Sequence, residues 1–187
     1  MTELQEFLRR VITGLDVTEI PYMLVGSVAS SAHGNPRSTY DLDIVIAPTA
    51  MQLSSVVSEF QKDLYADVAS AEQAMANRSM FNVIDFKKGL KADLILLKDR
   101  EFGKVEFGRR QKVEVFGSYA WVASAEDVIL SKLEWSKLGD SERQYRDAMQ
   151  VAATQHLTLD LNYFEELGGT IEGGRPAGQA TGRDCER

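Results

Sequence analysis

Leu4, Phe7, Leu8, Val11, Ile12 and Leu15 recur at steps of three and four, which predicts an amphipathic helix over residues 3–16 with one apolar stripe on a core. Pro21 then opens "PYMLVG", a short apolar run ending at Gly26 that reads as a buried strand. The small residues Ser27 to Ala32 predict a brief helix stopping near His33-Gly34, and Asn35-Pro36 supplies a turn. "YDLDIVI" is the next strand, closed by Pro48, and Leu53, Val56, Val57 and Phe60 mark a second amphipathic helix. "MFNVIDF" and "KADLILL", separated by Lys88-Gly89, predict an antiparallel hairpin, so a sheet of mixed direction is expected. A helix near residues 99–110 precedes short strands at "KVEVFG" and "YAWVA". From Ser124 the period is helical: Ser124 caps one helix whose third position is Asp127, and Ser141 caps another that runs to about Gln155. The expected class is α/β (α+β), with residues 1–123 as the sheet-bearing core and the helices of 124–167 packed on it. Residues 168–187, "GGTIEGGRPAGQATGRDCER", hold six glycines and almost nothing apolar and are expected to be a disordered tail.

At 187 residues the chain can build a core without staples, and its 44% hydrophobic and 26% charged content is that of a soluble globular protein. No apolar run reaches the roughly 20 residues a membrane span needs, and "MTELQEFLRR" is not a secretory signal, so a cytoplasmic location is expected. The single cysteine, Cys185, excludes an internal disulfide and argues against a cysteine-based metal site. The net charge of −7 is unevenly spread, with −6, +5 and −6 over residues 1–86, 87–112 and 113–187. The basic island from Lys87 to Lys112 is either a solvated face or a phosphate track.

Side chains two apart on a strand share a face, so Asp41 and Asp43 present two carboxylates side by side. Such a pair raises its own proton affinity unless a cation stands between, and hard oxygen ligands suit Mg²⁺ or Mn²⁺. Gly26-Ser27 ends a strand and opens a helix, where free N–H groups form a phosphate cradle; alternatively Ser27 is an ordinary N-cap. A third carboxylate would complete a site for two ions, one activating the attacking oxygen and one holding the triphosphate of an NTP. Asp93 is preferred for this part because it interrupts an apolar strand, whereas its competitor Asp85 lies near a turn.

With Gly-Ser, a spacer, Asp-x-Asp and a later strand aspartate in place, the chain resembles the nucleotidyltransferase superfamily that includes polymerase-beta-like enzymes. "LVGSVASSAHGNPRSTYDLDIVI" is similar to small stand-alone prokaryotic members related to abortive-infection toxins, through His33-Gly34, Arg37, Thr39 and Asp41 to Asp43. The resemblance spans roughly residues 20–155 and implies that later helices contribute a lysine and an aspartate, here Lys132 and Asp147. Lys132 falls on the buried side of its helix, where it needs a partner or a phosphate unless it snorkels, and Asp147 could equally pair with Arg143. Arg37 is a candidate phosphate contact, and His33 reads better as a packed helix-end residue than as a catalyst.

The implied activity is in-line transfer of a nucleoside monophosphate from an NTP to an acceptor hydroxyl with release of pyrophosphate, supported by two Mg²⁺ or Mn²⁺ ions on Asp41, Asp43 and Asp93. Gly26, Ser27, Arg37, Lys132 and Asp147 would bind the nucleotide. The acceptor stays open between a tRNA or other RNA end, a protein and a small molecule. No large second domain is visible that could read a template, which disfavours a processive polymerase. Two alternatives stand beside transfer: a non-catalytic nucleotide-binding or toxin-antitoxin interaction module, and a metal-dependent phosphatase releasing phosphate instead.

Overall fold

The computed structural model describes residues 2–35 and 39–171. Helix α1 (Glu3–Val17) starts at a capping box, in which the Thr2 hydroxyl accepts from the Gln5 backbone N–H and the Gln5 side chain accepts from that of Thr2. Its stripe of Phe7, Leu8, Val11 and Leu15 is fully buried, each side chain contributing about 1.5–3 kcal/mol relative to exposure, so α1 is part of the core. Strand β1 (Tyr22–Val25) runs directly into the short helix α2 (Gly26–Ala32), and β2 (Asp41–Ile46) returns antiparallel to β1. Helix α3 (Ala50–Phe60) has a second capping box, Thr49 with Gln52. The two-residue strand β3 (Tyr65–Ala66) and helix α4 (Val68–Asn77), neither anticipated from the sequence, lead to the hairpin of β4 (Met80–Asp85) and β5 (Leu90–Leu96).

Helix α5 (Glu101–Arg109) precedes the antiparallel pair β6 (Gln111–Val115) and β7 (Ser118–Val122). Helix α6 (Ala125–Gly139) is capped by Ser124 and α7 (Glu142–Gln155) by Ser141, as the sequence predicts. The last helix, α8 (Leu161–Ile171), runs past Leu167, where the expected tail begins; the rest of that tail, with Cys185, lies outside the described residues, as does Arg37. Among the described residues seven strands form one sheet in the order β3-β4-β5-β2-β1-β7-β6. The β2–β5 and β1–β7 pairs are parallel and the others antiparallel, giving the expected mixed sheet flanked by helices. Among the described residues no helix is long and apolar enough to cross a membrane.

Alternation along β2 divides the sheet's two roles. Leu42, Ile44 and Ile46 are fully buried in the core, while Asp41, Asp43 and Val45 take the opposite face. The C-terminal helices are anchored by a buried carboxylate: Asp127 accepts hydrogen bonds from the Tyr163 hydroxyl at 2.5 Å and the Ser124 hydroxyl at 2.7 Å. Arg109 lies 3.5 Å from the same carboxylate and stacks on the Tyr163 ring. Asp127→Asn removes this ion pair and turns an amide N–H₂ toward a donor, so thermal unfolding is expected to report a loss of about 1–3 kcal/mol.

Candidate active site

Gly26 closes β1 and opens α2 with φ +63°, a left-handed conformation that glycine adopts without strain. The close approach here explains the residue further: a Cβ on Gly26 would stand 2.1 Å from Oδ2 of Asp43. Ser27 is not the N-cap. Val25 holds that position and no side chain caps the helix, so the first turn opens into the cleft that Gly26 and Ser27 line.

The register of the sheet gathers the acids. Asp43 lies opposite Val25 on β1 and opposite Asp93 on β5, and Asp41 lies opposite Lys91. Burial first, then the charges of Asp93 and Asp41, raise the proton affinity of Asp43, against the opposing pull of Lys91 and Lys132. Asp93 is buried and held from two sides, by the Asn82 amide at 2.5 Å and by Lys91 Nζ at 3.1 Å. Asp41 is exposed at the start of β2, where its backbone is tied to the Thr39 hydroxyl. Among the described residues no group of three or more His, Cys, Asp or Glu side chains is arranged to hold a metal ion.

Lys132, on α6, is buried and lies 3.2 Å from Asp147 and 3.1 Å from Gln144, both on α7. The Asp147 carboxylate pairs with Lys132 and so fixes the lysine. Lys132 and Gln144 line the same cleft as Gly26, Ser27 and Asp43, a cavity of about 360 Å³ between the sheet face and helices α5, α6 and α7. Asp147 stands behind the lysine and positions it. Asp85 is structural: it pairs with Arg10 at 2.9 Å and accepts from the backbone of Lys87 and Lys88 in the turn. His33 is packed, with Nε2 2.7 Å from the Ala123 carbonyl oxygen.

Glu106, Asn82 and Lys91 escape sequence reasoning. Glu106 projects from α5 into the cleft, only 8% exposed, and accepts from the Ser131 hydroxyl at 3.2 Å. Burial, reinforced by Asp127, pushes its carboxyl up to about 7. The proton is held more tightly in the folded chain than at the ordinary value of 4.5, so Glu106's contribution is intact below pH 4.5 and is lost as pH rises through about 7. Glu106→Gln is expected to raise stability at pH 8 by about 1–3 kcal/mol and to leave it unchanged at pH 4, as read from urea midpoints.

Five cations of the basic island have carboxylate partners. Lys88 pairs with Glu6, Lys91 with Asp93, Arg100 with Glu134, Lys104 with Asp99, and Arg109 with Glu126 and Asp127.

No protein-family model and no curated protein sequence matches the chain. Solved structures do match. ANT(2'')-Ia in complex with adenylyl-2''-tobramycin has a TM-score of 0.61 at 11% identity, over 91% of this chain and 98% of that one. An antigenic nucleotidyltransferase-like protein from Paracoccidioides brasiliensis has a TM-score of 0.59 at 14% identity, over 91% and 92% of the two chains. The lincosamide antibiotic adenylyltransferase LnuA, bound to lincomycin, has a TM-score of 0.55 at 13% identity, over 82% and 98%. The shared feature at such identities is architecture: this chain has the same fold as these solved structures.

Proposed function

We propose that the protein is a nucleotidyltransferase that moves a nucleoside monophosphate from an NTP to a hydroxyl of a small-molecule acceptor. One arrangement carries the reading: Asp43 lies against the Gly26 backbone and in register with Asp93, in a cleft shared with Lys132. The acceptor oxygen attacks the α-phosphorus as the bond to the β-phosphate oxygen breaks, and the acceptor's proton and pyrophosphate leave. Open N–H groups at Gly26 and Ser27 bind the β and γ phosphates, and Lys132, oriented by Asp147 and Gln144, offsets their charge. Asp93, fixed by Asn82 and Lys91, favours the deprotonated acceptor oxygen. Arg37 is retained as a phosphate contact on the strength of the sequence motif.

Asp41, Asp43 and Asp93 would hold two divalent ions, Mg²⁺ or Mn²⁺, although as placed here their side chains do not form a three-acid metal group. Carboxylate oxygens suit such ions, and the like charges that Asp93 and Asp41 direct at Asp43 are the conflict a cation relieves. Bound there, the ions supply polarisation of the α-phosphate and of the leaving group. A small acceptor is favoured over RNA because five of the basic island's nine cations are paired with the chain's own carboxylates. Two of the matched structures hold an adenylylated antibiotic or an antibiotic, which agrees with this class. Kinship with abortive-infection toxins, and with it a toxin-antitoxin partner, rests on the sequence resemblance. One observation favours a second reading, a nucleotide-binding module without turnover: Lys91 and Asn82 already engage both oxygens of Asp93.

The test is incubation with each α-³²P-labelled NTP and Mg²⁺ or Mn²⁺, offering separate RNA, protein and metabolite pools. Label in the metabolite pool with pyrophosphate released is the expected result. Nucleotide bound but never transferred selects the module, and release of phosphate alone selects a phosphatase.

A further inference from the structure

Resting on that nucleotide reading, we infer that Glu106 reads the nucleobase: with Ser131 it forms the polar edge of a base pocket floored by Val45, Ile95 and Leu97 and walled by Trp135. All six residues line the cleft that holds Asp43 and Lys132. Val45 follows Asp43 by two residues on one face of β2, and Ile95 and Leu97 follow Asp93 by two and four residues. At a strand rise of about 3.3 Å per residue, the apolar floor starts about 7 Å beyond the carboxylates and extends to about 13 Å. A nucleotide whose α-phosphate lies at Asp43 places its ribose at the near end of that floor and its base over the far end.

Aliphatic side chains below and an indole beside suit a flat aromatic ring, and the ring needs a polar partner to be identified. Glu106 supplies it. Among the described residues its carboxyl accepts one hydrogen bond, from Ser131, while the nearby Arg100 is engaged by both oxygens of Glu134 at 2.8 and 3.1 Å. The other ionisable groups facing Glu106 are Asp127 and Glu134 on α6 and Tyr163 on α8, and Asp127 is itself paired with Arg109. An ionised carboxylate accepts only, so it favours the guanine edge, where two N–H donors are adjacent, over the uracil edge, where carbonyls flank the N–H. Once protonated it can also donate to a carbonyl, and that preference weakens.

Equilibrium binding of GTP, ATP, CTP, UTP and inorganic tripolyphosphate to the full chain in Mg²⁺, from pH 6 to 8.5, tests this. GTP is expected to bind about tenfold or more tightly than UTP at pH 8.5, with the ratio shrinking toward pH 6. Effects common to all nucleotides cancel in the ratio. Glu106→Gln, which keeps the shape and both donates and accepts, is expected to bring the ratio near one at every pH, and Glu106→Ala to do the same. Tripolyphosphate affinity should be unchanged in both. If the ratio and its pH profile survive in the variants, or if only the acceptor's KM moves, Glu106 does not read the base and this inference fails while the nucleotide reading stands. If neither nucleotides nor tripolyphosphate bind the wild-type chain, the nucleotide reading fails and takes this one with it.

Discussion

Asp43→Asn is expected to cut nucleotidyl transfer by about a hundredfold to a thousandfold without unfolding the protein. The change is isosteric and removes one acid from a face where Asp93 lies in register with it and Asp41 two residues before it. Burial and these neighbours raise the proton affinity of Asp43, so its ionised form costs the folded chain more than an exposed carboxylate would. A neutral asparagine relieves that repulsion, and the variant should melt at the same temperature or higher. Loss of activity with stability kept is the signature of a group held in place for chemistry. Asp85→Asn makes the contrast, since it breaks the Arg10 pair and weakens the turn bonds from Lys87 and Lys88. That variant should melt lower yet transfer normally per folded molecule. Thermal unfolding and label transfer on both proteins decide the matter: transfer by Asp43→Asn within about threefold of wild type would remove Asp43 from the reaction centre.

The contrast between Asp93 and Asp85 rests in the sequence on local features, an acid interrupting an apolar strand against an acid near a turn, and the structure places Asp93 on the sheet face in register with Asp43 and Asp85 in a pair with Arg10. The same holds for α1, where six apolar residues keep one period, and for the caps at Ser124 and Ser141. Helix α4 was not legible, since its core side is made by Ala71 and Ala74, too small to stand out as a stripe. Asn82 and Lys91 were missed for another reason. Asn82 meets Asp93 through the β4–β5 register, a relation between strands that sequence order does not contain. Lys91 shares its face with Asp93, yet it reads as one more cation in a basic island. Some partners of that island lie far along the chain, Glu6 on α1 and Glu126 and Glu134 on α6, and those pairings could not be seen in a charge count. Glu106 was hidden by the converse error: a glutamate among lysines and arginines reads as surface, and its burial, with the bond from Ser131 on α6, is a tertiary feature.

Gly26→Ala is expected to damage both stability and transfer, and the division between the two identifies what the glycine does. A non-glycine residue at φ +63° costs about 1–2 kcal/mol, whatever surrounds it. The added Cβ also meets Asp43, at 2.1 Å from Oδ2 and 2.9 Å from Cγ. If the carboxylate stays, the clash adds about 1–3 kcal/mol of overpacking. If it rotates away, the fold recovers that part, but the carboxylate leaves its place opposite Gly26 and transfer falls by about a hundredfold. Asp43→Ala removes the clashing atoms and leaves a Cβ contact at 3.2 Å, so in that background Gly26→Ala should cost little beyond the dihedral strain. A double-mutant cycle measured by urea unfolding, with transfer assayed on the single variants, separates these parts. Additive stability losses, together with transfer by Gly26→Ala close to wild type, would mean that Gly26 serves only the turn. Coupling between the two positions, with transfer lost, would mean that the glycine is there because Asp43 must lie against the backbone where β1 becomes α2.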